Sequence, residues 1–501
     1  MNVRLLLSIV TGAFLAFAYH ETIGWWFVIL GWGIFFCVLL QMHTRKEVLQ
    51  YTFLSMWIFF AGSLYWILPS IVDFGGVAWG WALAGYGIFC ALLTLPYVLL
   101  LGLIDGVRRK KLRYCAVMVP IALTGSEWIR GVGVLDFGWN SPAYALVDSW
   151  WSGWAPIGGE PLVNFLFFLC VGCIGAIFFD RRLVKTQRWV LFGIVFFVLG
   201  MGAYSQQYHW SRPQQTIHVR VLQPFLRTTR HVSIEQNRTR LAQLSAMLED
   251  KEPKIDLLLF PESVVTVPIE YAPLRVWQQL QYWGQQSPIM FTALRKARQG
   301  IFNTRIFLHR EEIAFVDKRR LVPFGEFVPA YLAWLPKLFG VHIGNMQEGR
   351  TDQRYFRVKD EKIAPLICYE NLYGTLWPSW IQAQGMPSLV TVSSNLGWFG
   401  PLILSQHLQM TRFRAMEVAR PAVSVNNNGA SAWVGPRGQI LARLTKIPAV
   451  VDWNVITYQG VKTPYVRLGL GALGCAMILY LGLLCIIVSP KRVLFLRRKA
   501  S

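Results

Sequence analysis

Charge is what this sequence has little of. Only 15% of its 501 residues are Asp, Glu, Lys or Arg, while 54% are hydrophobic; ordinary soluble chains carry roughly 25% charged residues. That pairing excludes intrinsic disorder and a wholly soluble globular protein. Acidic residues are the scarcer sign, 27 against 49 basic ones, for a net charge of +22. In a soluble chain such a surplus points to nucleic acid; in one this apolar, membrane topology has to be read first. Metal-binding patterns are missing as well. The eight histidines include no HExxH and no clustered Cys/His spacing, so no metal is expected. There is no glycine-rich phosphate loop, internal repeat or low-complexity linker, and no cofactor is expected.

What is present is a series of apolar runs. Seven are read as spans, Leu5–Tyr19, Trp25–Met42, Tyr51–Pro69, Val77–Ile104, Tyr114–Val134, Leu162–Phe179 and Trp189–Tyr204, with an eighth at Leu468–Val488. With a cytoplasmic N-terminus the inner segments hold 17 Lys and Arg, and the outer short loops His20–Gly24, Ser70–Gly76 and Leu135–Pro161 hold none. This positive-inside split puts both termini in the cytoplasm and Ser205–Arg467 on the outer side. Trp25, Trp26, Trp150, Trp151 and Trp154 fall at span ends, as an interfacial belt requires. Arg4, the first apolar run and Ala16-Phe17-Ala18 also fit a cleavable signal; the run is taken as a retained anchor. Glu127 and Arg130, near the end of the fifth span, are read either as a mutual pair or as a contact to a lipid head group.

The division is therefore a transmembrane domain over 1–205, an outer domain over 206–464, and a last helix with a basic tail over 465–501. In the outer domain apolar runs shorten to strand length and charges return. Candidate strands are Ile217–Leu222, Ile255–Phe260, Pro288–Ala293, Thr304–Leu308, Ile313–Asp317, Ile363–Cys368, Ser388–Ser393, Ala422–Asn426, Ala432–Gly435, Ile440–Leu444 and Ala449–Trp453. Helices are expected at Ala272–Trp283, at Gln406–Val418, and after a capping box Ser233-x-x-Gln236. Alternating strands and helices followed by short strands point to an α/β layered domain. From Ser205 to Pro464 there are 30 basic and 18 acidic residues, either a solvated surface or one drawn to anionic lipid.

Seven of the eight cysteines lie in spans; the outer domain has only Cys368. A lone thiol there has no partner within its domain. Cys368 ends an apolar strand, as Glu262 follows another (Ile255–Phe260 and Pro261) and Lys318 a third (Ile313–Asp317). A free thiol is mostly protonated at neutral pH. A carboxylate can take its proton, and an ammonium favours both the thiolate and a later oxyanion. Taken singly, each residue also fits a solvated strand end or a buried filler. Sequence spacing alone does not bring the three together.

At these residues the outer domain resembles the nitrilase, or carbon–nitrogen hydrolase, superfamily. The carriers are Phe260-Pro261-Glu262-Ser263, the run Asp317-Lys318-Arg319-Arg320-Leu321-Val322-Pro323-Phe324-Gly325-Glu326-Phe327-Val328-Pro329, and Ile367-Cys368-Tyr369-Glu370. Eight spans with this domain before the last one resemble its membrane branch, the apolipoprotein N-acyltransferases. Glu127-Trp128-Ile129-Arg130-Gly131, Trp398-Phe399-Gly400, Gln406-His407-Leu408-Gln409-Met410 and Asn427-Asn428-Gly429 agree with it. The resemblance implies a polytopic eight-helix membrane domain plus an α-β-β-α nitrilase-like domain in the periplasm, anchored in a bacterial inner membrane. It implies Glu262 as general base, Cys368 as nucleophile, and Lys318 with the Tyr369 N–H as oxyanion donors. Glu326 would support the lysine, and Tyr369 and Glu370 would line the site. The acyl donor would be a phospholipid, typically phosphatidylethanolamine, attacked at its sn-1 ester. The acceptor would be the α-amine of a diacylglyceryl-cysteine on an apolipoprotein, and the chain would act as a monomer without nucleic acid.

Trp334 and Leu335, within the apolar stretch Val328–Phe339, and Trp398 and Phe399 are candidates for substrate loops; ordinary packing is the alternative for the stretch. His407 is read as a packing or hydrogen-bonding residue. The sequence departs from the family where Gln223-Pro224-Phe225 replaces Gln-Gly-Asn, where a Trp is missing from Leu226–Ile234, and where Leu396 replaces an Asp. Two other readings of the same chain stay open: a membrane-anchored amidase for small amides, and a non-catalytic scaffold that keeps the fold.

Overall fold

Strand-forming runs in the second half of the chain alternate which neighbour they serve, and that alternation builds the domain. In the computed structural model, residues 3–20, 24–107, 114–132, 136–228, 234–249, 255–334 and 344–488 are described. The strands are β1 (Arg212–Gln223), β2 (Leu257–Leu259), β3 (Val265–Pro268), β4 (Ile289–Ala297), β5 (Gly300–His309), β6 (Glu312–Asp317), β7 (Phe356–Val358), β8 (Glu361–Ile367), β9 (Leu389–Ser394), β10 (Ala422–Asn426), β11 (Ala432–Val434), β12 (Ile440–Arg443) and β13 (Ala449–Gln459). One sheet has the order β13-β1-β2-β4-β5-β6, with β3 beside β4, and the other the order β12-β11-β10-β9-β8-β7.

Side chains two apart share a face. Leu257, Leu259, Met290 and Phe307 therefore point to the second sheet, where they meet a core that includes Ile363, Leu389, Val423 and Val425. The intervening Leu258, Phe260, Ile289, Phe291, Ile306 and Leu308 pack outward with Leu244, Val276, Leu280 and Trp283, carried by the helices Ile234–Leu248 and Leu274–Gln286. On the far side Trp377, Trp380 and Ile381 of Leu376–Gln384, and Leu408, Ala415 and Val418 of Leu402–Val418, cover the second sheet. The result is helix–sheet–sheet–helix. Burying each such Leu, Val or Phe contributes about 1.5–3 kcal/mol.

Expected and observed strands agree over the buried cores and differ at their ends. β1 begins at Arg212, ahead of Ile217, and β13 runs past Trp453 to Gln459, because the two pair antiparallel from Arg212↔Gln459 to Gln223↔Ala449; the added residues Arg212–Thr216 hold no apolar run. β3 and β7, of four and three residues, are too short to show a period. The Ser233 cap lies outside the described residues.

The chain divides into two compact units, one of Met1–Leu64, Tyr86–Tyr208 and Arg467–Ser501, the other of Tyr65–Gly85 with His209–Val466. Segment Tyr65–Gly85, read from sequence as part of the span region, thus goes with the α/β unit. Among the described residues three helices are long and apolar enough to cross a membrane: Trp79–Val107, Trp150–Phe179 and Lys185–Gln207. A fourth candidate, Arg45–Ser63 with Ile67–Phe74, is bent by 66°, and Val3–Phe17, Trp26–Gln41 and Gly471–Gly482 are shorter apolar helices. The third expected span was therefore drawn through a break: apolar character persists across Leu64–Trp66 while the helix direction changes. The fifth expected span opens as the five-residue π-helix Tyr114–Met118, followed by the twelve-residue helix Val119–Arg130. Trp151, expected at an interface, is buried against Phe167.

Glu127 and Arg130 resolve into the mutual pair. Arg130 Nη2 donates to Glu127 Oε2 at 2.6 Å, and the side chains are 0% and 3% exposed. Tyr97 donates its hydroxyl to Glu127, and Arg130 Nη1 donates to the carbonyls of Phe137 (2.8 Å) and Trp139. With both charges buried and committed, this pair ties the segment after Arg130 to its helix and offers little to a lipid head group.

Candidate active site

Strand direction decides which ends meet. β2 runs parallel to β4, and β4 and β6 each run antiparallel to β5, so β2 and β6 finish at one edge of their sheet. Glu262 leaves that edge after β2 and Lys318 after β6. In the second sheet β8, β9 and β10 are parallel, and Cys368 and Asn395 follow the ends of β8 and β9. The structure thus brings base, cation and thiol candidates to one place from two sheets.

Lys318 is 1% exposed. Its Nζ donates to Glu326 Oε1 at 2.9 Å and lies 3.7 Å from Glu262 Oε1. Asn303, from β5, bridges the two carboxylates, donating Nδ2 to Glu262 Oε1 at 2.8 Å and to Glu326 Oε1 at 2.6 Å. The other Glu262 oxygen accepts from the Asn395 N–H at 3.0 Å, and the second Glu326 oxygen from the Val322 N–H at 2.8 Å. Burial works against the Lys318 charge, but Glu326, then Glu262 and Cys368, outweigh it and hold its pKa above the ordinary lysine value. Its backbone is held by Asn303 O and by the Gly349 N–H. A Cβ on Gly349 would sit 2.3 Å from Asp317 O, so only glycine permits that approach.

Cys368 is half-buried and opens the 3-10 turn Cys368–Leu372. Its φ is +46°, in the left-handed region that costs a non-glycine residue roughly 1–3 kcal/mol. Ser263 (+65°), next to Glu262, and Phe324 (+60°), two residues before Glu326, share that conformation. Backbone strain therefore gathers at Cys368 and near Glu262 and Glu326. Burial, then the negative charge of Glu262, pushes the thiol pKa well up, while Lys318 pulls it down and Glu326 adds to the rise. The resting thiol is protonated, so a nucleophile here requires a base.

Glu370 braces the turn instead of lining the opening. At 1% exposure it accepts from the Ile367 N–H (2.8 Å) with one oxygen, and from the Arg319 N–H (2.8 Å) and Nε (3.2 Å) with the other. Arg319 stacks 3.6 Å over the Trp380 ring, so the residue after Lys318 is fastened to the one two positions beyond Cys368. The Tyr369 ring is buried against Tyr373. Trp398 and Phe399 are half-buried against aromatic partners: Trp398 meets Phe74 at 4.8 Å and Phe399 meets Trp66 edge-on at 5.1 Å. Trp66 Nε1 donates to Gln406 Oε1 at 3.0 Å. Trp334 is 60% exposed and Tyr331 54%; Leu335 lies outside the described residues.

Sequence reasoning missed Asn303, Asn395 and Trp66, and gave His407 no place in the site. Asn303 stands two residues before Arg305 on the inward face of β5, a polar residue amid an apolar strand, which was the available signal. Buried Arg305 donates Nη1 to Phe260 O at 2.7 Å, just ahead of Glu262. Among the described residues no group of three or more His, Cys, Asp or Glu side chains could hold a metal ion.

Residues 11–173 match the apolipoprotein N-acyltransferase N-terminal domain family, and residues 219–451 the carbon–nitrogen hydrolase family. A putative apolipoprotein N-acyltransferase of Bordetella parapertussis is 28% identical over 474 residues, covering 86% of this chain and 87% of that protein. An apolipoprotein N-acyltransferase of Ralstonia nicotianae is 28% identical over 497 residues, covering 95% and 92%. A solved CN-hydrolase superfamily protein of Xanthomonas campestris is 18% identical with a TM-score of 0.38, covering 53% of this chain and 97% of that one. With both family domains present in order and relatives aligned nearly end to end, the chain belongs to the apolipoprotein N-acyltransferases, the membrane branch of the carbon–nitrogen hydrolase superfamily.

Proposed function

We propose that this chain is an acyltransferase that moves an acyl group from a phospholipid, through a thioester on Cys368, to the N-terminal amine of a diacylglyceryl-cysteine on an apolipoprotein. The observation that carries the reading is the buried Glu262–Lys318–Glu326 cluster at the strand ends from which the strained Cys368 turn also starts. Glu262 takes the thiol proton as sulfur attacks the ester carbonyl, at sn-1 of phosphatidylethanolamine. Negative charge passes to the carbonyl oxygen, where Lys318 and the Tyr369 N–H stabilise it. The carbon–oxygen bond breaks, and Glu262 returns the proton to the lysophospholipid. In the second half the acceptor amine attacks the thioester, its proton goes to Glu262, and the carbon–sulfur bond breaks to restore the thiol.

Glu326 has a distinct part. Holding Nζ at 2.9 Å, against 3.7 Å for Glu262, it fixes the ammonium and leaves Glu262 a base instead of a locked ion-pair partner. Neither lipid leaves a bilayer cheaply, at about 0.8 kcal/mol per CH₂, so the chemistry needs a membrane anchor. The apolar helices, the outer placement of 206–464 between 1–205 and 465–501, and eight crossings with cytoplasmic termini in a bacterial inner membrane fit that need. Exposed Tyr331 and Trp334 fit a lipid-contacting loop, and a monomer suffices.

Purified full-length chain incubated with phosphatidylethanolamine should carry a hydroxylamine-labile acyl adduct on Cys368 by mass spectrometry, discharged by a diacylglyceryl peptide. Folded wild-type protein that hydrolyses small amides but never acquires the adduct would sink the reading in favour of an amidase.

A further inference from the structure

The mechanism leaves one buried polar side chain against the nucleophile's own backbone unused. His407, on the helix Leu402–Val418, is 1% exposed. Its Nε2 lies 3.3 Å from the carbonyl oxygen of Cys368 and 3.2 Å from Ser394 Oγ, and its Nδ1 is buried without a hydrogen-bond partner. That pattern selects the tautomer. A proton on Nδ1 would be a buried unmet donor and would aim the Nε2 lone pair at a carbonyl; a proton on Nε2 serves the carbonyl and leaves only an acceptor bare. The main chain of the same residue grips the same turn, because Asn371 Nδ2 donates to His407 O at 3.1 Å and to Thr411 Oγ1 at 2.9 Å. Ser394 precedes Asn395, whose N–H holds Glu262, so one imidazole touches the strand end that steadies the base and the turn that carries the thiol.

The carbonyl of Cys368 and the N–H of Tyr369 are two ends of one planar peptide unit, and in a trans peptide they point in opposite directions. We infer that His407 is a positioning residue for the oxyanion step: by holding the Cys368 carbonyl it fixes the direction of the Tyr369 N–H. The inference rests on the acyl-transfer reading for the role of that N–H. Burial pulls the imidazole pKa down to about 4, with the bond to Cys368 opposing and Lys318 adding to the fall. His407 is therefore a neutral donor at neutral pH, not an acid or a base. A plain filler at this position would be apolar, since burying an imidazole with one nitrogen unmet is costly.

Two reactions of the same sulfur separate positioning from packing. Alkylation by iodoacetamide displaces iodide at an sp³ carbon and forms no oxyanion, whereas acylation by p-nitrophenyl butyrate or by phosphatidylethanolamine does. In full-length protein His407→Leu should alkylate at Cys368 within about 2-fold of wild type and acylate about 10- to 100-fold more slowly, a fraction of the roughly 10²–10³-fold lost with an oxyanion donor itself. His407→Gln, whose amide reaches the Nε2 position, should restore acylation to within about 5-fold; His407→Asn, polar but too short, should stay as slow as leucine. Alkylation and acylation falling together, acylation unchanged in His407→Leu, or glutamine no better than asparagine would each overturn the inference. If wild type accepts the activated ester but not the phospholipid, the donor proposed above is wrong, and the ester rates still decide the role of His407.

Discussion

Two of the charge clusters that the molecule buries are built on opposite terms. Glu127 and Arg130 are one anion and one cation, joined at 2.6 Å, with a tyrosine hydroxyl on the carboxylate and two carbonyls on one guanidinium nitrogen. Lys318 faces two carboxylates and a thiol. The first cluster balances and holds a chain segment. The second carries excess negative charge next to a sulfur that must lose a proton, so its thiol is pushed up and its lysine stays charged. Burial of charge is thus no mark of chemistry by itself; an uneven count around a nucleophile is.

Breaking each cluster at its cation tests that contrast most severely. Removing one partner of a buried pair costs about 3–5 kcal/mol, so Arg130→Met and Lys318→Met should both lower the melting temperature. Only Lys318→Met, which also leaves two carboxylates facing each other without the oxyanion partner, should reduce the acylation rate per folded molecule, by about 10³-fold or more. Equal losses of rate in the two variants would erase the distinction. Next in size is Glu262→Gln, expected to slow acylation by about 10²–10⁴-fold while moving thiol reactivity the other way. Glu262 is the largest charge raising the Cys368 pKa, and Lys318 lowers it. Deleting that negative charge lets the thiol ionise at lower pH, so the pH profile of iodoacetamide alkylation should shift down. An upward shift would show that Glu262 is not the charge that controls the thiol.

How far the site was legible in the sequence follows from the same physics. Glu262, Lys318 and Cys368 each follow an apolar strand, and strand ends can be read from hydropathy. That they meet depends on β2 and β6 ending at one edge and on the second sheet facing them, which is pairing information no local window contains. Asn303 showed in the sequence only as a polar residue in a strand, for a related reason: its partners lie 41 and 23 residues away. The apolar runs ending at Phe260 and Ala293 were clear, whereas the polar stretch Arg212–Thr216 of β1 is strand only because it pairs with the end of β13. Hydropathy likewise could not see the bend after Ser63, since composition continues where the backbone turns.

A smaller effect is expected where the turn is braced. Glu370→Gln keeps the shape and loses the charge that meets Arg319, leaving a buried guanidinium unpaired. Stability should fall by about 2–4 kcal/mol, measured by thermal melting, with alkylation and acylation of Cys368 declining in parallel because the whole turn loosens. A fall in acylation alone would give Glu370 a direct part in the reaction.

The smallest expected effect lies at the rim. Trp66 touches Phe399, donates to Gln406, and accepts at its carbonyl from the Gly400 N–H, so it holds the loop that begins at Asn395, the partner of Glu262. Trp66→Leu keeps the carbonyl and much of the apolar bulk but loses the ring pair, worth about 0.5–1.5 kcal/mol, and the indole bond, worth about 0.5–1.5 kcal/mol. Because the Glu262 contact itself runs through the Asn395 backbone, the chemistry should be spared and the loop's grip on substrate weakened. The expected outcome is a rise in KM for phospholipid of about 3- to 10-fold with kcat within about 2-fold, and no change in the rate of iodoacetamide alkylation. A fall in kcat with KM unchanged would mean that the aromatic contact at the rim transmits to the base, and that Trp66 belongs with Asn303 and Asn395 in the support of Glu262.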